Sequence, residues 1–208
     1  MKGLIGYLKR VIWIFSILFL ITQVSAQTGI STSSSFSHIV KSNGYVQTTI
    51  TLKISSEQRT VLTYYTVTIP QEDIEAEIFS LTRNSKLEAT TYNRANATDI
   101  LIDLENSVVS NDNPQEITIS YTYPYDNSNI INLVSKVIDT PTSQVSVTYP
   151  KTFGETSWVS DQIDSIKQSG DNFIINITSP DSSSVKLIFN QGIVYEFNIS
   201  KSFNLSSH

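Results

Sequence analysis

The stretch Tyr45-Val-Gln-Thr-Thr-Ile-Thr-Leu-Lys-Ile-Ser-Ser-Glu-Gln-Arg-Thr-Val-Leu-Thr-Tyr-Tyr-Thr-Val-Thr-Ile-Pro70 decides the fold class. Val46, Ile50, Leu52 and Ile54 share one parity, and Thr49, Thr51 and Lys53 take the other. That is period two, the signature of a half-buried strand. Ser55–Thr60 is a polar break. From Val61 the alternation resumes, with Val61, Thr63, Tyr65, Val67 and Ile69 predicted on one face, and Pro70 stops it. Two alternating runs joined by a short polar segment predict a β-hairpin.

The same reading extends outward. Gln27–Ser35 is Ser/Thr-rich and reads as a spacer or frayed edge, with Phe36–Lys41 as a short first strand ended by Ser42-Asn43-Gly44. Alternating or compact apolar runs follow at Leu87–Thr91, Ile100–Leu104, Glu116–Tyr123, Ile130–Ile138 and Val145–Tyr149. Lys151–Gly170 reads as a loop, and Phe173–Thr178, Val185–Phe189 and Ile193–Phe203 as three closing strands. Ten or eleven short strands with regular turn signals and no helix predict an all-β chain of immunoglobulin-like antiparallel β-sandwich type. Thr140-Pro141-Thr142 marks a boundary. One complete sandwich over 27–141 and a second, partial sheet over 142–208 are therefore expected. On that reading Gln27–Pro141 would fold alone, and the second sheet would dock on it or self-associate through Ile193–Phe203.

Residues 1–26 have the form of a signal peptide. Lys2, Lys9 and Arg10 precede the apolar Val11–Ile21, and Val24-Ser25-Ala26 offers a cleavage site before Gln27. The apolar run is about half the ~20 residues a membrane helix needs. Export to the outside or the cell surface is expected, with membrane contact only through that segment if it is not cleaved. The mature part has 182 of the 208 residues and carries 11 basic against 19 acidic side chains, a net charge of −8. That charge disfavours nucleic acid and anionic lipid as partners. With no cysteine anywhere in the chain, no disulfide is possible and a hydrophobic core must hold the fold.

No catalytic constellation stands out. Histidine occurs only at His38 and His208, both expected in solvent. Asp161 and Asp164, with Glu155 and Trp158 nearby, are the one carboxylate pair a hydrolase could use. No cofactor is implied; calcium is the ion the loop oxygens would suit, at Asn111-Asp112-Asn113, Asp126-Asn127 or Asp161 with Asp164. Sequons at Asn96, Asn176, Asn198 and Asn204 occur at the rate an Asn/Ser/Thr-rich chain gives by chance. Four aromatics in predicted turns, Tyr123, Tyr125, Phe153 and Trp158, are the candidate partner-binding residues, because recognition uses exposed loop aromatics. The partner would be a protein or a glycan.

The last third carries an ordered set of features: Val145-Ser-Val-Thr-Tyr-Pro150, Thr152-Phe-Gly154, Trp158, Leu187-Ile-Phe189, Asn190-Gln-Gly192 and Tyr195-Glu-Phe197. This order resembles the non-catalytic N-terminal β region of bacterial secreted or membrane-bound transglutaminase-like proteins. Asn190 stands where that pattern has a second glycine. The resemblance implies a secreted accessory region facing the cell surface, used for interaction or spacing. It transfers no active site, since the superfamily's Cys-His-Asp triad needs a cysteine. A carbohydrate-binding or adhesion module and a hydrolase built on Asp161 and Asp164 are the alternative expectations.

Overall fold

The computed structural model describes residues 29–125 and 130–189. The expected signal segment, Asp126-Asn127 and Ile193–Phe203 lie outside the described residues. Within them the chain forms fourteen strands, one short 3-10 turn and no α-helix: β1 (Ile30–Lys41), β2 (Tyr45–Ser56), β3 (Thr60–Ile69), β4 (Glu77–Ser80), β5 (Ser85–Lys86), β6 (Ala89–Arg94), β7 (Ala97–Val109), β8 (Gln115–Pro124), β9 (Ile130–Val134), β10 (Thr142–Pro150), the turn at Lys151–Phe153, β11 (Thr156–Val159), β12 (Ser165–Ser169), β13 (Asn172–Thr178) and β14 (Ser184–Phe189). The all-β sandwich expected from the sequence is what the chain adopts. A large sheet has the order β12-β13-β10-β1-β2-β8-β4-β5. Two three-stranded sheets, β11-β14-β9 and β3-β7-β6, bury their apolar faces in the same core. Every pairing between strands is antiparallel except that of β1 with β10, so the large sheet is mixed.

Gln27–Ser35 is not a spacer where it is described: β1 begins at Ile30 and pairs with β2 along its full length. The hairpin of the chain is therefore β1–β2. Its turn is Ser42-Asn43-Gly44, with Gly44 donating its N–H to the Lys41 carbonyl at 3.3 Å. Gly44 sits at φ 87°, which only a residue without a Cβ adopts freely.

The predicted β2–β3 hairpin does not form. β2 lies between β1 and β8, and β3 pairs with β7 in another sheet. Both edges of β2 are occupied, so the chain crosses from one layer to the other between Ser56 and Thr60. The facing of β2 is as read: Val46, Ile50, Leu52 and Ile54 are fully buried. The facing of β3 is not uniform. Val67 and Ile69 point inward, but Leu62 is 4 % exposed and Val61 60 % exposed. The register shifts between Leu62 and Tyr64: Leu62 faces Ser107 and Tyr64 faces Asp103. Leu104, Glu105 and Asn106 thus stand opposite Thr63 alone, a bulge that reverses the parity of β3. Glu105 and Asn106 both take positive φ, 50° and 56°. Arg83 holds the bulge, donating to the Glu105 carbonyl at 3.2 Å and to Ser107 Oγ at 2.9 Å while pairing with the Glu105 carboxylate.

The expected boundary at Thr140-Pro141-Thr142 does not separate two sheets. β10 runs beside β1 from Ser34↔Thr142 to Ile39↔Thr148, and β13 adds to its other edge. Ser34 anchors the junction: its N–H donates to the Pro141 carbonyl at 2.9 Å, and Ser143 Oγ donates to the Ser34 carbonyl at 3.0 Å. Of the four strands read as a separate second sheet, β10 and β13 join the large sheet, β14 centres one small sheet, and Ile193–Phe203 is not described. The predicted loop Lys151–Gly170 contains β11 and β12, each on the edge of its sheet.

Candidate functional site

The four candidate aromatics do not form one patch. Tyr123 belongs to β8, its side chain turned to the core and its ring stacked 5.9 Å from Tyr121. Burial pushes its hydroxyl up to about 12, partly offset by Thr48. Tyr125, just beyond β8, donates its hydroxyl to the Lys41 carbonyl at 2.9 Å and takes the Gly44 carbonyl on its N–H at 3.0 Å. Its half-buried ring lies 6.4 Å from Phe153. Phe153 continues inward to Phe189 at 5.3 Å, then Tyr149 at 5.0 Å and Phe173 at 5.5 Å. Tyr125 and Phe153 are the surface end of an aromatic series that closes the end of the sandwich. Trp158 stands apart on edge strand β11, opposite Ile188 and 49 % exposed. Of the four, it is the one whose ring is largely free for a partner.

The carboxylates are held by the backbone. Asp161 accepts from Ser160 Oγ at 2.8 Å, Ser182 Oγ at 2.7 Å and the Asp181 N–H at 3.1 Å. Partial burial raises its pKa, but the Ser182 and Ser160 hydroxyls and two backbone N–H groups outweigh that and hold it below the usual value. Asp164 accepts the backbone N–H of Thr178. Both brace the segment between β13 and β14, Asp164 at Thr178 and Asp161 at Asp181 and Ser182. Asp112 lies exposed in the Ser110–Asn113 turn, whose Asn113 side chain donates to the Val108 carbonyl at 2.8 Å. Among the described residues no group of three or more His, Cys, Asp or Glu side chains is placed to hold a metal ion.

His38 corrects the sequence reading most. It is fully buried in the middle of the large sheet, not solvated on an edge. Its parity with Phe36 and Val40 in β1 was the available signal. Nδ1 is 2.8 Å from Thr48 Oγ1, and the ring stacks 5.7 Å from Phe36. Burial lowers its pKa to about 4, slightly offset by the nearby Val134 backbone.

The opposite face of the large sheet carries a row of mostly small polar side chains, beside exposed Ile39, Tyr45 and Phe79. Cross-strand pairing sets Ser165, Asn176, Ser146, Ser37, Thr49, Ser120 and Glu77 in one row across seven strands. Within it Thr49 Oγ1 is 3.3 Å from Ser120 Oγ, and Asn176 donates to Ser165 Oγ at 3.1 Å. Such a row suits a solvated face of a sandwich. Among the described residues no helix is long and apolar enough to cross a membrane.

No family model matches the chain, and no curated protein matches it. Solved structures do. An M1 zinc metallopeptidase mutant from Deinococcus radiodurans, bound to a Tyr-Ser-Ala substrate, superposes with a TM-score of 0.51 at 10 % identity, over 78 % of this chain and 43 % of that one. A two-domain M1 zinc metallopeptidase mutant bound to L-tryptophan gives 0.50 at 10 % identity, over 78 % and 43 %. Native yeast LTA4 hydrolase gives 0.50 at 10 % identity, over 79 % and 30 %. At such identity the likeness is one of fold. The chain spans less than half the length of these proteins. Of the ordered features from Val145 to Phe197, those up to Phe189 are described; Asn190, Gln191, Gly192, Tyr195 and Phe197 fall outside.

Proposed function

We propose that this chain is an exported, non-catalytic β-sandwich module that serves interaction or spacing at the cell surface, in the manner of the N-terminal accessory region of transglutaminase-like proteins. The observation that carries this reading is the use made of the polar groups that could do chemistry. His38 is buried against Thr48. Asp161 and Asp164 accept backbone N–H groups at turns. Asp99 is buried between Arg94 and Thr68, whose hydroxyl donates to it at 2.8 Å. Each holds the fold. The fold likeness supports a modular role too, since the chain superposes on only 43 % of a metallopeptidase described as having two domains. The signal-like Lys2–Ala26 supports export.

The test is an activity screen of the secreted mature protein against peptide and glycan substrates, with Asp161→Asn and Asp164→Asn alongside. The module reading predicts no turnover above blank. Turnover abolished by either change would establish a hydrolase instead. The exposure of Trp158 favours a second reading, a carbohydrate-binding or adhesion module. Saturable quenching of tryptophan fluorescence by an oligosaccharide, lost in Trp158→Ala, would select it.

A further inference from the structure

Three buried polar atoms on the inner face of the large sheet close no hydrogen bond of normal geometry: His38 Nε2, Tyr121 Oη and Tyr123 Oη. They belong to one neighbourhood. His38 pairs across to Thr48, and Thr48 pairs across to Tyr121. Tyr123 is two residues along β8 from Tyr121, its ring stacked on it. The rest of this row is apolar, with Val147 and Ile175 on the far side of His38. Val134 of β9 faces the histidine from the other layer. The Val134 backbone and the Thr48 hydroxyl lie near enough to bias these groups, but neither closes a hydrogen bond of normal geometry to the three atoms.

Thr48 has one hydroxyl proton, and its oxygen is already engaged with His38 Nδ1 at 2.8 Å. If Thr48 donates there, Nε2 carries the ring proton and needs an acceptor. If Nδ1 donates, Nε2 needs a donor. In both tautomers Nε2 lacks a well-formed bond, as do the two tyrosine hydroxyls, with only the Val134 backbone and the Thr48 hydroxyl nearby. A buried polar group left unmatched is destabilising, so three in one place would be a heavy load on a domain of ordinary stability. Water both donates and accepts, and so fits either tautomer and both hydroxyls.

We propose that the interior between β1, β2, β8 and β9 binds ordered water, linking His38 Nε2 to the hydroxyls of Tyr121 and Tyr123. His38 and Tyr121 are two strands apart, roughly 10 Å between backbones, with Thr48 of β2 between them, so the proposed waters would bridge over the Thr48 side chain. Folds carry about one such water per 27 residues, and it holds otherwise unmatched groups. The site is a hydrated seam within the core rather than a cleft open to solute.

The experiment measures long-lived internal water by oxygen-17 relaxation dispersion on the mature protein, with Tyr121→Phe and Tyr123→Phe, and measures unfolding of all three in urea. The proposal predicts a smaller internal-water signal in each variant. It also predicts an unfolding equilibrium constant raised about 5-fold per lost hydroxyl, the loss of one water-mediated hydrogen bond. An unchanged water signal in both variants overturns the proposal, whatever their stability, because the hydroxyls then pair with protein. Variants as stable as or more stable than the parent overturn it too, because the hydroxyls are then dry. If Tyr121→Phe fails to fold, Tyr123→Phe alone decides.

Discussion

β2 and β3 are adjacent, similar in length and similar in composition, yet they behave differently. β2 keeps one parity for twelve residues, with β1 and β8 bonded along both edges. β3 keeps its parity for only part of its length and pairs along one edge with a strand that bulges. A residue's facing follows from period two only while the ladder is unbroken. Three residues of β7 set against Thr63 are enough to send Val61 outward and Leu62 inward. A partner is a longer-range matter still. The turn after β2 is polar and short, but the chain there changes layer, because the hairpin position beside β2 is filled by β1.

The largest expected effect concerns what completes the β1–β2 ladder. Ending the chain at Pro141 removes β10 and β13 from the large sheet and, with Val145, Val147, Tyr149, Ile175 and Ile177, much of the core on that side. Residues 27–141 are expected to be unfolded by circular dichroism and to lack a cooperative urea transition. A stable monomer of that length would show that the β1 side of the sandwich stands without β10.

Next in size is the parity of β3. Leu62→Ala should cost about 2–4 kcal/mol, as truncations in a core do, and Val61→Ala within about half a kcal/mol. Chemical denaturation of the two variants is the check. The uniform alternation read from the sequence gives the reverse order, and so would a β3–β7 pairing without the bulge.

Smaller is the effect of pH on the middle of the β1–β2 ladder. His38 has a folded pKa near 4 against 6.5 when unfolded, so the unfolded chain binds the extra proton between those values. Stability should therefore fall as pH drops from about 6.5 to about 4, by roughly 3 kcal/mol at most. Tyr121 and Tyr123 stay neutral throughout, their pKa values raised by burial. Urea midpoints across this range, compared with His38→Phe, test it. A parent profile as flat as the variant's would contradict a buried neutral histidine.

Much of this architecture is legible in the sequence because strand facing is local. The buried sets of β2, β8 and β10 follow from alternation alone: Ile50 and Leu52, Ile117 and Ile119, Val145 and Val147. What is not legible depends on contacts distant in the chain. The pairing of β1 with β10 joins residues more than a hundred apart, such as Ser34 and Thr142, and nothing near Pro141 announces it. The Ser-rich run before Phe36 looks like a tail, and it is a strand because β2 and β10 offer it edges on both sides. His38 looks exposed by residue type, while its neighbours' parity places it inside. The candidate aromatics show the limits of residue type as well. Phe153 and Tyr125 look like loop anchors and instead cap the core, and of the four Trp158 alone keeps much of its surface in solvent.

One sandwich spans the described chain, with β10 laid parallel against β1. Ser37 and Ser146 are partners in that pairing, on the outer face of the sheet. Neighbouring strands lie about 4.8 Å apart, within the Cα separation a disulfide spans. The protein has no cysteine, so Ser37→Cys with Ser146→Cys introduces its only two thiols. On mild oxidation of the folded protein, an intramolecular cross-link is expected, with the circular dichroism of the parent retained. Thiols that stay reduced in the folded protein, or cross-link only between molecules, would contradict it.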